Sequence, residues 1–155
     1  MTDLSDLLVS GAVVAALPAN NKKTLFHQIG QAAARAYGLD AKLVADRLTE
    51  REKLGSTGFG AGVAIPHGKL DELRHVTGIF VQLEKPVDFA SVDDLPVDLV
   101  FVLLSPVSAG AEHLKALARV SRRLRDRGFA AKLRGAGSPD ALYALLTGVE
   151  ARDAA

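Results

Sequence analysis

Gly55-Ser-Thr-Gly-Phe-Gly-Ala-Gly-Val-Ala-Ile-Pro-His-Gly-Lys-Leu70 is the stretch from which the fold is read: four glycines fall in its first eight residues, and His67 sits between a proline and a glycine. Each glycine costs about 1 kcal/mol of helix stability relative to alanine, so the first half is no helix. A loop whose backbone can approach another group closely is expected instead. Val63 to Ile65 is a short β-type run, and Pro66 closes it by fixing its own φ and pushing Ile65 toward the extended region. His67 is therefore expected at a strand end on a stiffened backbone.

A neutral imidazole keeps a nitrogen lone pair near pH 7 and can accept a phosphoryl group. Such a group needs donors for its oxygens, which glycine-rich backbone can supply as an anion-binding nest. The hydroxyls of Ser56 and Thr57 would add to that set. Two other glycine motifs are excluded by spacing. A phosphate-binding P-loop needs four residues between its first glycine and Gly-Lys, followed by Ser or Thr, whereas Gly62 and Gly68 enclose five and Leu70 follows Lys69. Gly58-Phe-Gly60-Ala-Gly62 is one residue short of the dinucleotide fingerprint, and Pro66 blocks the helix that fingerprint opens.

Outward from this stretch, the second half of Leu4 to Leu17 reads as a strand closed by Pro18. Asn20-Asn21 offers a helix cap, and Leu25, Ile29, Ala33 and Ala36 recur at helical spacing until Gly38. His27 lies off that face, on the surface. Asp40 caps a second helix through Leu43, Val44 and Leu48, which puts Arg51 in its last turn, directly before the glycines. On its own, Arg51 reads equally as a solvated charge at the helix C-terminus. Downstream, Val76 to Leu83 is a strand, Glu84 to Asp88 a turn, and Val97 to Leu104 a nearly unbroken apolar strand of the kind covered on both faces. Ala109 to Arg127 carries a stripe of His113, Leu117, Val120 and Leu124 and reads as one amphipathic helix. By position alone His113 is a packed core residue. Ser138-Pro139 opens a last helix, Ala141 to Leu146, and residues after Gly148 are expected to fray.

The chain has 155 residues, 48% of them hydrophobic, which suits a single domain with a real core. Cysteine is absent, so disulfides and thiolate metal sites are excluded. No carboxylate or cysteine stands at ligand spacing from His67 or His75, and neither a metal nor a cofactor is expected. The acidic start and the short uncharged run Leu7 to Asn21 are neither signal peptide nor membrane anchor, so a cytoplasmic protein without membrane insertion is expected. A net charge of +1 argues against nucleic acid as a partner. Eight Lys and Arg residues between Lys115 and Arg134, opposed only by Asp126, read as a solvated helix face, with an acidic partner surface as the alternative.

The words Arg51-Glu52, Leu54-Gly-Ser-Thr-Gly58 and Gly62-Val-Ala-Ile-Pro-His-Gly68 resemble the active-site segment of phosphotransferase-system enzyme IIA proteins of the mannitol/fructose class, in particular their nitrogen-regulatory branch. Lys85-Pro-Val-Asp-Phe89, Pro96-Val-Asp-Leu-Val-Phe-Val-Leu-Leu104 and Glu112-His-Leu-Lys-Ala-Leu-Ala-Arg-Val-Ser121 continue the likeness, which runs from Leu4 to Thr147. The resemblance implies a single α/β domain over residues 1–155, ordered over 4–148, with a central mixed β-sheet flanked by α-helices. It implies His67 as phosphoacceptor, His113 close to it and Arg51 reaching the phosphoryl oxygens. The implied donor is an HPr-like phosphocarrier (NPr in this branch). The implied targets are regulated proteins such as potassium transporters or sensor kinases. Two other readings are a sugar-specific enzyme IIA passing phosphate to a IIB transporter component, and a non-catalytic anion-sensing domain.

Overall fold

A computed structural model describes residues 4–148 as one mixed sheet with helices packed on it. The sheet is organised on β6 (Val97–Ser105), where every residue but Asp98 is buried, so both faces are covered as its unbroken apolar run requires. Antiparallel to it on one side runs β5 (Thr77–Val87), and β1 (Val13–Leu17) lies parallel beyond β5. On the other side β6 pairs in parallel with β3 (Val63–Ala64) and then with β4 (His67–Lys69). The edge is β2 (Gly58–Gly60), antiparallel to β3.

β3 and β4 are one strand interrupted. Ala64 is level with Val100 and His67 with Leu103, so the register along β6 is kept across Ile65 and Pro66. Pro66 has no N–H to give a ladder, but its carbonyl still accepts from Leu103 N at 3.0 Å. His67 thus opens the upper segment, where the chain is held against the most buried strand of the molecule.

Helices α1 (Lys22–Tyr37) and α2 (Ala41–Lys53) begin at Asn21 and Asp40, whose side chains accept from Thr24 N at 2.8 Å and Leu43 N at 3.2 Å. α2 lies against β4 because Gly68 has no side chain; a Cβ there would stand 3.2 Å from Arg47 Cβ. Arg51, one turn after Arg47 on the same helix face, is thereby carried to the start of β4. The remaining helices are α3 (Gly110–Arg125), α4 (Arg127–Gly135) and α5 (Pro139–Thr147), the last capped by Ser138.

Four sequence expectations are corrected. The glycine run is no open loop: Gly58 to Gly60 is a strand, and the close approach its glycines permit is to the chain itself, since a side chain at Gly58 would collide with Ser91 and Phe89. β5 does not turn at Glu84 but continues through Pro86 to Val87; Glu84 to Pro86 are exposed, where a missing N–H is tolerated. Ala109 to Arg127 is not one helix, because Asp126 adopts an extended conformation and its carboxylate caps Phe129 N at 3.0 Å to start α4. The basic run is likewise only partly a solvated face. Arg134 forks onto Asp98 at 2.9 Å and reaches Ala61 O at 2.8 Å, Arg119 pairs with Asp6 at 2.6 Å, and the Arg123 guanidinium lies 3.6 Å from the Phe129 ring centre. The fraying expected after Gly148 falls outside the described residues.

Candidate functional site: a histidine pair above the central strand

The ring of His67 is half-buried and held at both nitrogens. Nδ1 lies 2.9 Å from the carbonyl oxygen of Ile65, two residues back, which the interruption at Pro66 presents to it. A carbonyl can only accept, so Nδ1 carries the proton and Nε2 keeps the lone pair. On the other side Arg51 Nε donates to Nε2 at 3.1 Å, which agrees with that assignment. Arg51 is itself anchored, donating from Nη1 to Gly55 O at 2.9 Å.

His113 stands in the first turn of α3, with its ring centre 5.4 Å from that of His67 and tilted by 52°. It is buried, and its Nδ1 is 2.6 Å from Ser105 Oγ at the end of β6. Burial pushes both imidazoles below the usual histidine value. For His67, Arg51 adds to the lowering while the bond to Ile65 and the charge of Glu52 oppose it; for His113, His67 and Lys69 add to it. Burial thus favours the neutral form of both rings.

The two histidines line a shallow depression of about 420 Å³ together with Arg47, Glu50, Arg51, Leu54, Gly68, Lys69 and Val107. Three cationic side chains, Arg47, Arg51 and Lys69, therefore line the depression that holds Nε2, against one carboxylate, Glu50, which Arg47 engages at 3.3 Å. Arg47 and Lys69 escaped the sequence reading, although position provides the signal for both. Arg47 is four residues before Arg51 on one helix, and Lys69 is two after His67 on one face of a strand. Ser105 had no such signal, because its contact with His113 joins two elements.

Ser56 and Thr57 are not brought together with His67. The Ser56 hydroxyl donates to Phe89 O, while the Thr57 hydroxyl and N–H both donate to the Glu52 carboxylate, at 2.6 and 3.0 Å. Glu52 also holds Lys22 of α1 at 2.7 Å. These contacts brace the connection that follows Arg51. Among the described residues, no group of three or more His, Cys, Asp or Glu could hold a metal ion, and no helix is long and apolar enough to cross a membrane.

A depression with one imidazole lone pair set among guanidinium and ammonium groups suits a histidine phosphoryl carrier. Residues 7–149 match the family described as phosphoenolpyruvate-dependent sugar phosphotransferase system, EIIA 2. The chain belongs to this family, the mannitol/fructose class of enzyme IIA, and as such is a phosphoryl-carrying component of a phosphotransferase system. It is 48% identical over 143 residues to a nitrogen regulatory protein of Bradyrhizobium diazoefficiens, covering 92% of this chain and 94% of the relative. The crystal structure of nitrogen regulatory protein IIA-Ntr from Neisseria meningitidis superposes with a TM-score of 0.85 at 36% identity, over 92% of this chain and 97% of that one. IIA mannitol from Escherichia coli shares the fold, with a TM-score of 0.75 at 22% identity over 90% and 98% of the two chains.

Proposed function

We propose that Nε2 of His67 accepts a phosphoryl group from the phosphohistidine of an HPr-like phosphocarrier (NPr), and that the phosphorylated and free forms regulate target proteins differently. The observation that carries this reading is the pair of contacts on His67. Ile65 O accepts a hydrogen bond from Nδ1–H and leaves Nε2 as the nucleophile, and Arg51 already points an N–H at the atom where phosphorus would bond. In the transfer the Nε2 lone pair forms the new N–P bond, the bond from phosphorus to the donor's ring nitrogen breaks, and its electron pair returns to that ring. The proton on Nδ1 stays in its hydrogen bond to Ile65. Arg51 hands its N–H from the consumed lone pair to a phosphoryl oxygen, Arg47 and Lys69 offset charge, and His113 contacts the phosphoryl group from the side. Phosphoryl transfer asks mainly for alignment and charge stabilisation, which these groups provide.

The depression is open enough for a second protein's histidine to enter, and Leu54 and Val107, 84% and 56% exposed, give its rim an apolar surface for the donor. The reading places the protein in the cytoplasm, where such relays draw on phosphoenolpyruvate. Its targets would be proteins such as potassium transporters or sensor kinases. Incubation with enzyme I, phosphoenolpyruvate and an HPr-like protein should label wild type and not His67→Ala, while His113→Ala should accept label more slowly or lose it sooner. Onward passage of the label to a IIB component would assign the sugar-specific role instead, and tight anion binding without label would assign the sensor.

A further inference from the structure

Each neutral imidazole has one N–H, and where it sits decides what the ring can offer. For His67 a carbonyl settles the matter. For His113 the neighbour is a hydroxyl, Ser105 Oγ at 2.6 Å from Nδ1, which is able to donate or to accept. Ser105 is fully buried, and its hydroxyl has no other hydrogen-bond partner among the described residues. Were His113 to donate from Nδ1, the serine proton would be left without an acceptor in a site closed to water, an expensive arrangement. Were Ser105 to donate to Nδ1, no donor would be orphaned. The proton of His113 would then lie on Nε2, the nitrogen without a hydrogen-bond partner in a ring that lines the depression beside His67.

We infer that Ser105 is a positioning residue: its hydroxyl donates to Nδ1 of His113 and fixes the tautomer in which Nε2–H faces the phosphoryl group carried by His67. The two rings are set in opposite states by two different partners. His67 presents a lone pair to phosphorus, and His113 presents an N–H to a phosphoryl oxygen. With the other tautomer His113 would turn a lone pair toward an anion and repel it. Register places this device, since Ser105 lies level with Lys69 where β6 runs alongside β4. This function of Ser105 rests on the reading of His67 as phosphoacceptor, but the tautomer does not.

The test is long-range ¹H–¹⁵N correlation NMR of the imidazoles in the intact, unphosphorylated protein, combined with transfer kinetics from the HPr-like donor. In wild type, Nδ1 of His113 should resonate as an unprotonated nitrogen and Nε2 as a protonated one, the reverse of His67. In Ser105→Ala, His113 should move to a mixture of tautomers while His67 is unchanged, and phosphoryl acceptance should slow about tenfold, the low end for outer partners of functional groups. Ser105→Thr should restore both. A wild-type spectrum with the proton on Nδ1 of His113 overturns the proposal, whatever the variants do. So does Ser105→Ala with an unaltered tautomer. If the tautomers are as described but no label ever reaches His67, the tautomer stands and the carrier reading falls.

Discussion

Residues 55–62 and 65–69 are neighbours in sequence, and both lie on one side of β6, yet their glycines serve opposite ends. In the first segment glycine brings backbone against the protein's own side chains: Gly58 meets Ser91 and Phe89, and the turn at Ala61 and Gly62, with φ of 56° and 80°, is clamped by Arg134. In the second, Gly68 admits α2 and Pro66 breaks a strand so that Ile65 O can hold a ring nitrogen. Glycine density marks close approach, but not to what. The proposed reactive atom, Nε2 of His67, lies where the strand is interrupted.

If the division holds, damage to the second segment should remove chemistry and damage to the first should remove stability. The largest effect is expected at His67: His67→Ala should take up no label while its thermal midpoint stays near wild type, and label persisting on another residue would dissolve the comparison. Arg51→Ala should slow acceptance about a hundredfold, as expected on removing a donor to developing negative charge. Arg51→Lys should recover only part, because an ammonium lacks the fork that holds Gly55 O and Nε2 together. In the first segment Gly58→Val should lower unfolding free energy by about 1–3 kcal/mol through overpacking, read from urea melts, with acceptance by the folded fraction little changed. Thr57→Val should cost about 1 kcal/mol as its bonds to Glu52 are weakened. A large loss of acceptance rate with unaltered stability would instead put Thr57 at the phosphate. The mildest effect is that of pH. Protonation removes the nucleophile, and the lowered values of both rings move the acid limb of acceptance below the usual histidine value of about 6.5. The sign for stability is the same: neutral rings favour the fold above about 6.5, and that contribution is lost as pH falls through the lowered values.

Much of this architecture is legible in local pattern. The apolar run Val97 to Leu104 announces a strand covered on both faces, Asn21, Asp40 and Ser138 announce helix starts, and helical periodicity puts Arg51 in the last turn of α2. What is not legible depends on partners distant in sequence. Asp126 sits among arginines that continue a helical pattern, and only the buried Phe129, Ala130 and Leu133 give the chain reason to restart there as α4. Pro86 reads as a turn residue until the register shows Val87 paired with Val97. Ser56 and Thr57 read as oxygen ligands because hydroxyls after glycine suit an anion, yet a buried carboxylate and a carbonyl claim them here. Which nitrogen of His67 is free rests on one hydrogen bond to a carbonyl two residues back, and which way His113 faces on one between β6 and α3, and composition carries no trace of either.

The register of β4 on β6 also orders events during synthesis. His67 is aligned by a strand whose partner residue, Leu103, is made 36 positions later. A nascent chain that has emerged only as far as β5 owns the imidazole but not its frame, and long-range pairing of this kind is the slow part of assembling such a sheet. Phosphoryl acceptance at a site that needs this frame would thus be confined to finished molecules.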